Sequence, residues 1–319
     1  MGKTQSGFGY RTTAQQVTQG IDASNLTVLI TGATSGIGTE TARVLALRGA
    51  HVHITGRSLQ STTATKEEIL KKVPDAKVDI LAPFDLNSQA SIRKSTESFL
   101  SLGQPLNVLI NNAGIMLAPY ELTEDGIESH FGTNHIGHFL LTNQLLNKLK
   151  ETANATGIES RIVIVSSRAI TTCPKEGVKW ENYNDEKGYN AISAYSLSKI
   201  ANHYHAQELT RRFKEEGVTN VTENTLHPGI IKTNLMRHIH GFFRASVVVM
   251  YYATSFIWKD VPQATATTCY AALHPQLKGV SGKFFNDCNE FDPTKWCPFA
   301  HDAEAARKLW DVSLKLTSK

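Results

Sequence analysis

The chain has 319 residues, 41% hydrophobic and 19% charged, the balance of a soluble globular protein at a length that suits one large α/β unit or two domains. Its net charge of +4 comes without a Lys/Arg block, which argues against nucleic acid as a partner. No apolar run reaches the roughly 18–20 residues that a bilayer span requires, and the longest candidate, Val247 to Trp258, is closed by Arg244 and Lys259.

The first residues lack the apolar core of a secretory signal. Gly2 followed by Ser6 fits the loose myristoylation pattern, against the alternative of an unmodified tail. Cys173, Cys269, Cys288 and Cys297 form no CxxC pair and suit a reducing, cytoplasmic compartment. Cys288, Cys297 and His301 are close in sequence but match no usual zinc spacing, so no metal is expected.

Residues 1–25 are polar and without period, which predicts an arm lying on the surface of the domain that follows. Leu26 to Ile30 reads as a buried strand and runs into Thr31-Gly32-Ala33-Thr34-Ser35-Gly36-Ile37-Gly38. Thr41, Val44, Leu45 and Leu47 then give a helix ending near Gly49. Strand, glycine-rich turn and helix bring backbone N–H groups and a helix N-terminus against a phosphate. The spacing is G-x-x-x-G-x-G, so the roles of the glycines carry over from the common dinucleotide fingerprint but the pattern does not.

His51 to Thr55 is the second strand and ends in Gly56-Arg57-Ser58. An acid there would hold the ribose 2′-OH of NAD. Arg57 would instead pair with a 2′-phosphate, which favours NADP, unless it is simply a solvated strand end. Thr62 to Lys72 is a polar helix, Lys77 to Leu81 a third strand followed by Asp85-Leu86, and 88–101 another helix. Leu106 to Ile110 is the fourth strand and leads into Asn111-Asn112-Ala113-Gly114. This rhythm implies a doubly wound parallel sheet of about seven strands, with ligands beyond the carboxyl ends of the strands.

Glu124 to Lys150 reads as largely helical, and a buried Asn134 inside it would need partners. Arg161 to Val165 is the fifth strand, ending in Ser166-Ser167, and the connection 168–193 is long enough to be functional. On the helix Ser193 to Lys214, Tyr195 and Lys199 are four residues apart and share a face, a phenol beside an ammonium that would lower its pKa. Val221 to Leu226 is the sixth strand, followed by His227-Pro228-Gly229-Ile230-Ile231-Lys232-Thr233. Residues 234–261 are rich in aromatic and aliphatic side chains and read as a lid over an apolar pocket, with core packing or peripheral membrane contact as alternatives. Val261 to Leu273 is helical, Lys283 to Phe285 a seventh strand, and Ala303 to Leu316 a basic helix with Trp310. That last helix is expected to be solvated, with a membrane surface or calmodulin as weaker alternatives. No Gly/Ser/Pro-rich linker divides the chain, so 26–319 reads as one domain.

The ordered set Thr31-Gly32-x3-Gly36-x-Gly38, Asp85, Asn112-Ala113-Gly114, Asn134, Ser167, Tyr195-x3-Lys199, and Pro228-Gly229 with Thr233 resembles the short-chain dehydrogenase/reductase family over about residues 26–290. Within it the sequence is most similar to the retinol-dehydrogenase-like branch and to the plant enzymes of chloroplast-translocon (Tic) type, which makes the chloroplast envelope the alternative location. Residues 288–299 and 234–261 depart from that pattern. The resemblance implies a single-domain Rossmann fold, monomeric or homodimeric, and hydride transfer between NADP(H) and a small carbonyl or alcohol. A terpenoid, steroid, retinoid or other specialised metabolite would fit as substrate, and a keto-sugar is possible. It implies Tyr195 as acid, Lys199 as its tuner and ribose ligand, Ser167 on the carbonyl oxygen, and Asn134 holding a water that links Lys199 to solvent. Cofactor contacts would come from Gly32, Thr34, Ser35, Gly36, Ile37, Gly38, Arg57, Ser58, Asp85, Leu86, Asn112, Ala113, Gly114, Tyr195, Lys199, Pro228, Gly229, Ile231 and Thr233. An NADPH-binding, redox-sensing component of a membrane or translocon complex is the alternative function.

Overall fold

The structure is a computed structural model that describes residues 5–172, 180–231 and 258–318. Gly2, Cys173, Thr233 and nearly all of the expected lid, 234–257, lie outside the described residues.

The sheet begins with β1 (Thr27–Ile30), β2 (His51–Thr55), β3 (Val78–Leu81) and β4 (Val108–Asn111). It continues with β5 (Ser160–Val165), β6 (Val221–His227), β7 (Phe284–Asn286) and β8 (Asn289–Glu290). The spatial order is β3-β2-β1-β4-β5-β6-β7-β8, with every pair parallel except the last. β1 is flanked by β2 and β4, so the strand order reverses there and opens a crevice at the carboxyl ends. All four residues of β1 and of β4 are buried, because helices cover both faces. Each fully buried Leu, Ile or Val contributes about 1.5–3 kcal/mol.

The eighth strand is an addition to the seven expected. Asp287 and Cys288 have φ of +52° and +62°, the backbone of a two-residue hairpin turn, and fold β8 back onto β7. Such an Asp-Cys pair carries neither of the usual turn glycines, so the hairpin leaves little trace in sequence.

One face of the sheet packs α1 (Ala14–Val17), α2 (Gly36–Leu47), α3 (Leu59–Lys72) and α8 (Val261–Leu273) in a cluster that includes Ala14, Val44, Ile69 and Cys269. The other packs α4 (Gln89–Ser101), α6 (Gly137–Thr156), α7 (Ala191–Glu216) and α9 (Ala303–Thr317), where Phe99, Leu145, Leu209 and Trp310 share a cluster. The arm therefore does more than lie on the surface. Thr13 and Gln16 form a capping box, and Ala14 and Val17 of the short helix they start are in the core. The C-terminal helix is likewise not simply solvated: Leu309 and Trp310 are buried against the body, and the Arg212 guanidinium sits 4.3 Å over the Trp310 ring.

α5 (Ser129–Phe131) is capped by Glu128 and leads through a π-helical turn, Gly132–Ile136, into α6. The helix expected over Glu124 to Lys150 thus starts later and ends at Gly157, which takes the left-handed C-cap conformation. The long connection after β5 holds two described 3-10 turns, Arg168–Thr172 and Trp180–Asn182, before Asn190 caps α7. Among the described residues no helix is long and apolar enough to cross a membrane.

Candidate functional site

A cleft of about 760 Å³ lies over the carboxyl ends of the strands. The turn between β1 and α2 forms one wall, with Gly32, Thr34, Ser35, Gly36, Ile37 and Gly38 all lining it. Gly32 and Gly36 have φ of +66° and +55°, which a side chain would strain. A Cβ on Gly38 would collide with the Gly32 carbonyl oxygen and stand 2.7 Å from Asn112 Nδ2. Ser35 precedes α2 in extended backbone and makes no side-chain cap, which leaves the helix's first N–H groups without a side-chain acceptor from Ser35.

Thr31 fastens this turn to the end of β4. Its Oγ1 accepts from the N–H of Asn112 at 2.9 Å and of Ala113 at 3.0 Å, and lies 2.8 Å from His138 Nε2. Asn112 Nδ2 donates to Thr31 O and Gly32 O at 2.8 and 3.2 Å. Asn112 thus acts as a tie between two strand ends, and Asn112, Ala113 and Gly114 line the cleft beside Asp85 and Leu86. Arg57 lines it as well, exposed, with no ion-pair partner among the described residues. Ser58 does not line it. Its hydroxyl caps α3, accepting from Ser61 N–H at 3.4 Å.

Deeper in, β5 delivers two serines that do different things. Ser166 turns inward and donates from Oγ to the Lys199 carbonyl at 2.7 Å. Ser167 accepts from Ala169 N–H at 3.0 Å and lies beside Tyr195, where its hydroxyl favours the charged phenolate. That difference leaves Ser167 as the serine facing Tyr195. The Lys199 ammonium donates to Val165 O at 2.9 Å and lies 5.7 Å from the Tyr195 ring centroid. Burial pushes the Tyr195 phenol up to about 12, with the Ser167 hydrogen bond opposing, and pulls Lys199 down to about 8. Burial, and not the expected influence of Lys199, sets the direction of the Tyr195 shift, because desolvation penalises the charged phenolate.

Asn134 is buried behind this group, inside the π-turn. Its Oδ1 accepts from Ile115 N–H at 2.8 Å, and its Nδ2 donates to Ile115 O at 3.0 Å and Ser198 Oγ at 2.9 Å. Its direct partners are protein groups, and it fixes the backbone just past Gly114 close to Lys199. Pro228, Gly229 and Ile231 line the cleft at the end of β6. Lys259 is buried and pairs with Asp287 at 2.5 Å.

Sequence reasoning missed two groups. His227, at the end of β6, lines the cleft, accepts from Arg168 N–H at 3.1 Å and is packed edge-on by Trp296. The unusual 288–299 segment thus supplies a support for the cleft wall. The second group, Glu128, His130 and Tyr189, carries a pocket-lining loop and is taken up below. The cysteines show one departure: Cys269 and Cys288 are buried thiols whose pKa burial raises, but Cys297 is disulfide-bonded. Distance along the chain says nothing about which thiols meet in space.

Among the described residues one set of metal-ligand type converges: His51, His53 and Asp79, with ligand atoms within 4.8 Å. It lies at the start of β2, at the other end of the sheet from the cleft. Its members already have partners, since Asp79 pairs with His51 at 2.8 Å and Lys66 at 3.7 Å, and His53 Nε2 bonds Gln104 Oε1 at 2.8 Å.

Comparison with known proteins agrees with this arrangement. The family model described as short chain dehydrogenase matches residues 26–241. The chain is 52% identical to short-chain dehydrogenase TIC 32 B, chloroplastic, of Brassica napus over 98% of this chain and 95% of that protein. It is 42% identical to retinol dehydrogenase 14 of Homo sapiens, covering 90% of this chain and 84% of that protein. Among solved structures, an uncharacterised protein from Mycobacterium paratuberculosis superimposes with a TM-score of 0.73 at 31% identity over 98% of each chain. The NADP complex of RhlG from Pseudomonas aeruginosa shares the fold, with a TM-score of 0.64 at 22% identity over 83% of this chain and 95% of that one.

Proposed function

The chain belongs to the short-chain dehydrogenase family, and from that premise we propose that it is an NADP(H)-dependent oxidoreductase interconverting a ketone or aldehyde and its alcohol on a small, apolar substrate. The observation that carries this reading is the convergence of Ser167, Tyr195, Lys199 and Arg57 on one cleft at the strand ends.

The residues fit a dinucleotide. The Gly32–Gly38 turn and the start of α2 offer N–H groups to a pyrophosphate, and Arg57 offers a guanidinium to a 2′-phosphate. Asp85, Leu86, Asn112, Ala113, Gly114, Pro228, Gly229 and Ile231 line the same cleft and would hold the remainder of the dinucleotide. When bound, the nicotinamide supplies or accepts the hydride.

In reduction, the Ser167 hydroxyl donates to the carbonyl oxygen and stabilises its developing charge. Tyr195 gives its phenolic proton to that oxygen. Lys199 holds the nicotinamide ribose and supplies positive charge beside the phenolate as it forms. Asn134 keeps Ile115 and the adjoining turn in register with Lys199, and a water beside it would connect Lys199 to solvent. The apolar side chains of Ile115, Met116, Leu117 and Ile192 line the same cleft and favour an apolar substrate. The word chloroplastic in the name of the Brassica napus relative makes the chloroplast the compartment to test first, ahead of the cytoplasm.

The test is NADPH and NADH oxidation by purified protein over a panel of ketones and aldehydes. Tyr195→Phe is expected to lower kcat by about 10²-fold or more. Arg57→Ala is expected to raise KM for NADPH roughly tenfold, the worth of one charge-assisted hydrogen bond, and to leave NADH unchanged. Turnover that survives Tyr195→Phe intact would sink the catalytic assignment. Tight NADPH binding without any turnover would favour the redox-sensing reading instead.

A further inference from the structure

One residue in the cleft wall has a backbone that its side chain disfavours. Leu117 has φ of +55°, in the left-handed region that a branched apolar residue rarely adopts, and it lines the cleft. Such a conformation persists only where neighbours impose it, and here they are identifiable. The loop after β4 is pinned twice. At Ile115 both backbone groups are held by Asn134, at 2.8 and 3.0 Å. At Ala118 the N–H donates to His130 Nε2 at 3.2 Å, and the carbonyl accepts from the Tyr189 hydroxyl at 2.7 Å. Met116 and Leu117 lie between the pins.

The second pin is itself rigid. His130 and Glu128 are both buried. Glu128 Oε1 accepts from His130 Nδ1 at 2.7 Å and from the His130 N–H at 2.9 Å, and its Oε2 accepts from Phe131 N–H at 2.9 Å. With Nδ1–H given to the carboxylate, Nε2 keeps the lone pair that receives Ala118 N–H, so the contacts fix one tautomer. Tyr189, on the connection before α7, is tied to the same point and also lies 3.3 Å from His130 Nδ1. The His130 ring packs edge-on to Tyr195 at 6.2 Å between centroids. The clamp is thus built against the proton donor itself.

We propose that Leu117 is a specificity-determining residue, held in the cleft by the Glu128–His130–Tyr189 clamp so that it limits the bulk of the group next to the reacting carbonyl. This rests on the oxidoreductase reading and adds to it a selection by size at the group next to the carbonyl. Glu128, His130 and Tyr189 are positioning residues in this scheme.

The experiment compares NADPH oxidation with propanal, cyclohexanone and 2-decalone for wild type, Leu117→Ala, Leu117→Gly and Tyr189→Phe. Leu117→Gly removes the side chain while suiting the observed φ, so it keeps the test sound where Leu117→Ala is poorly folded. The ratio of kcat/KM for 2-decalone over propanal is expected to rise about tenfold in both Leu117 variants, mainly through KM for the bulky ketone. Tyr189→Phe loses the hydroxyl's bond to Ala118 and its contact with His130 Nδ1, and is expected to shift the ratio in the same direction by less, with NADPH affinity unchanged. An unchanged ratio in Leu117→Gly, with wild-type turnover of the panel, overturns the inference alone. A shift in Leu117→Gly but none in Tyr189→Phe overturns the clamp. No turnover of any substrate by wild type overturns the oxidoreductase reading, and this inference with it.

Discussion

Tyr195 and Lys199 meet as their spacing suggests, but their electrostatics come from burial. A tyrosine in water titrates near 10 and a lysine near 10.4. Here the phenol is pushed up to about 12 and the ammonium pulled down to about 8. The sign for pH follows. Below about 8 Lys199 is charged and can hold a ribose hydroxyl and support a forming phenolate; as pH rises through that value the charge is lost, while Tyr195 stays protonated. We therefore expect kcat/KM for NADPH in the reductive direction to fall above pH 8, with a log–log slope approaching about −1. Lys199→Met should abolish that break along with most activity. A profile flat to pH 10 in wild type would refute the assignment. The residue types at this site were legible because hydride chemistry needs a donor, a cation and a hydroxyl, and the chain offers them in a specific order. Just past β5 the two serines have different surroundings: Ser166 is committed to the Lys199 carbonyl, while Ser167 is beside Tyr195. The commitments of Asn134 were not legible, since its partners at Ile115 and Ser198 are 19 and 64 residues away.

At the level of the elements, the turn between β1 and α2 depends on a contact between backbones. Gly38 lets the first turn of α2 close on the Gly32 carbonyl and the Asn112 amide. Gly38→Ala is expected to destabilise the protein by about 1–3 kcal/mol, the cost of overpacking a fitted site. It should also weaken NADPH binding, read by nicotinamide fluorescence titration beside a thermal melt. Wild-type affinity in that variant would show that the turn is not the phosphate site. The sequence predicts the glycines and the strand and helix around them. It says nothing of Thr31 as the acceptor that joins two strand ends, nor of the π-turn at Gly132–Ile136, which arises within an ordinary helical pattern. The helical turn at Ala14–Val17 was also hidden, because four residues show no period and gain their stability from α8 and the core.

Across the whole molecule, several ionisable side chains are buried where desolvation favours the neutral form. Glu223 on β6 is fully buried, with neither carboxylate oxygen hydrogen-bonded among the described residues, and burial raises its pKa well above the usual range. His205 Nδ1 lies 3.9 Å from it, and burial pulls His205 and His203 down to about 3. The two kinds of group act on opposite limbs of stability. The histidines bind protons in the unfolded chain but not in the fold, so their contribution is present above about 6.5 and lost as pH falls toward 3. Glu223 ionises in the unfolded chain above about 4.5 but keeps its proton to higher pH in the fold, so stability declines as pH rises from there. Glu223→Gln should therefore raise the Tm more at pH 8 than at pH 5, measured by thermal melts across that range. Equal shifts at both values would refute a neutral Glu223.

Local propensity and pattern suffice for the first seven strands, the glycine turn, the order of the motifs and the serine, tyrosine and lysine proposed to serve chemistry, because each of those features is written within a few residues. The tertiary structure alone decided that burial favours the neutral form of Lys199, that Ser58 caps a helix, that β8 folds back on β7 while Trp296 packs against His227, and that Leu117 takes a left-handed backbone between two pinned neighbours. Each of these depends on groups brought together from separate strands and helices, and desolvation, tautomer and backbone strain exist only once they have met.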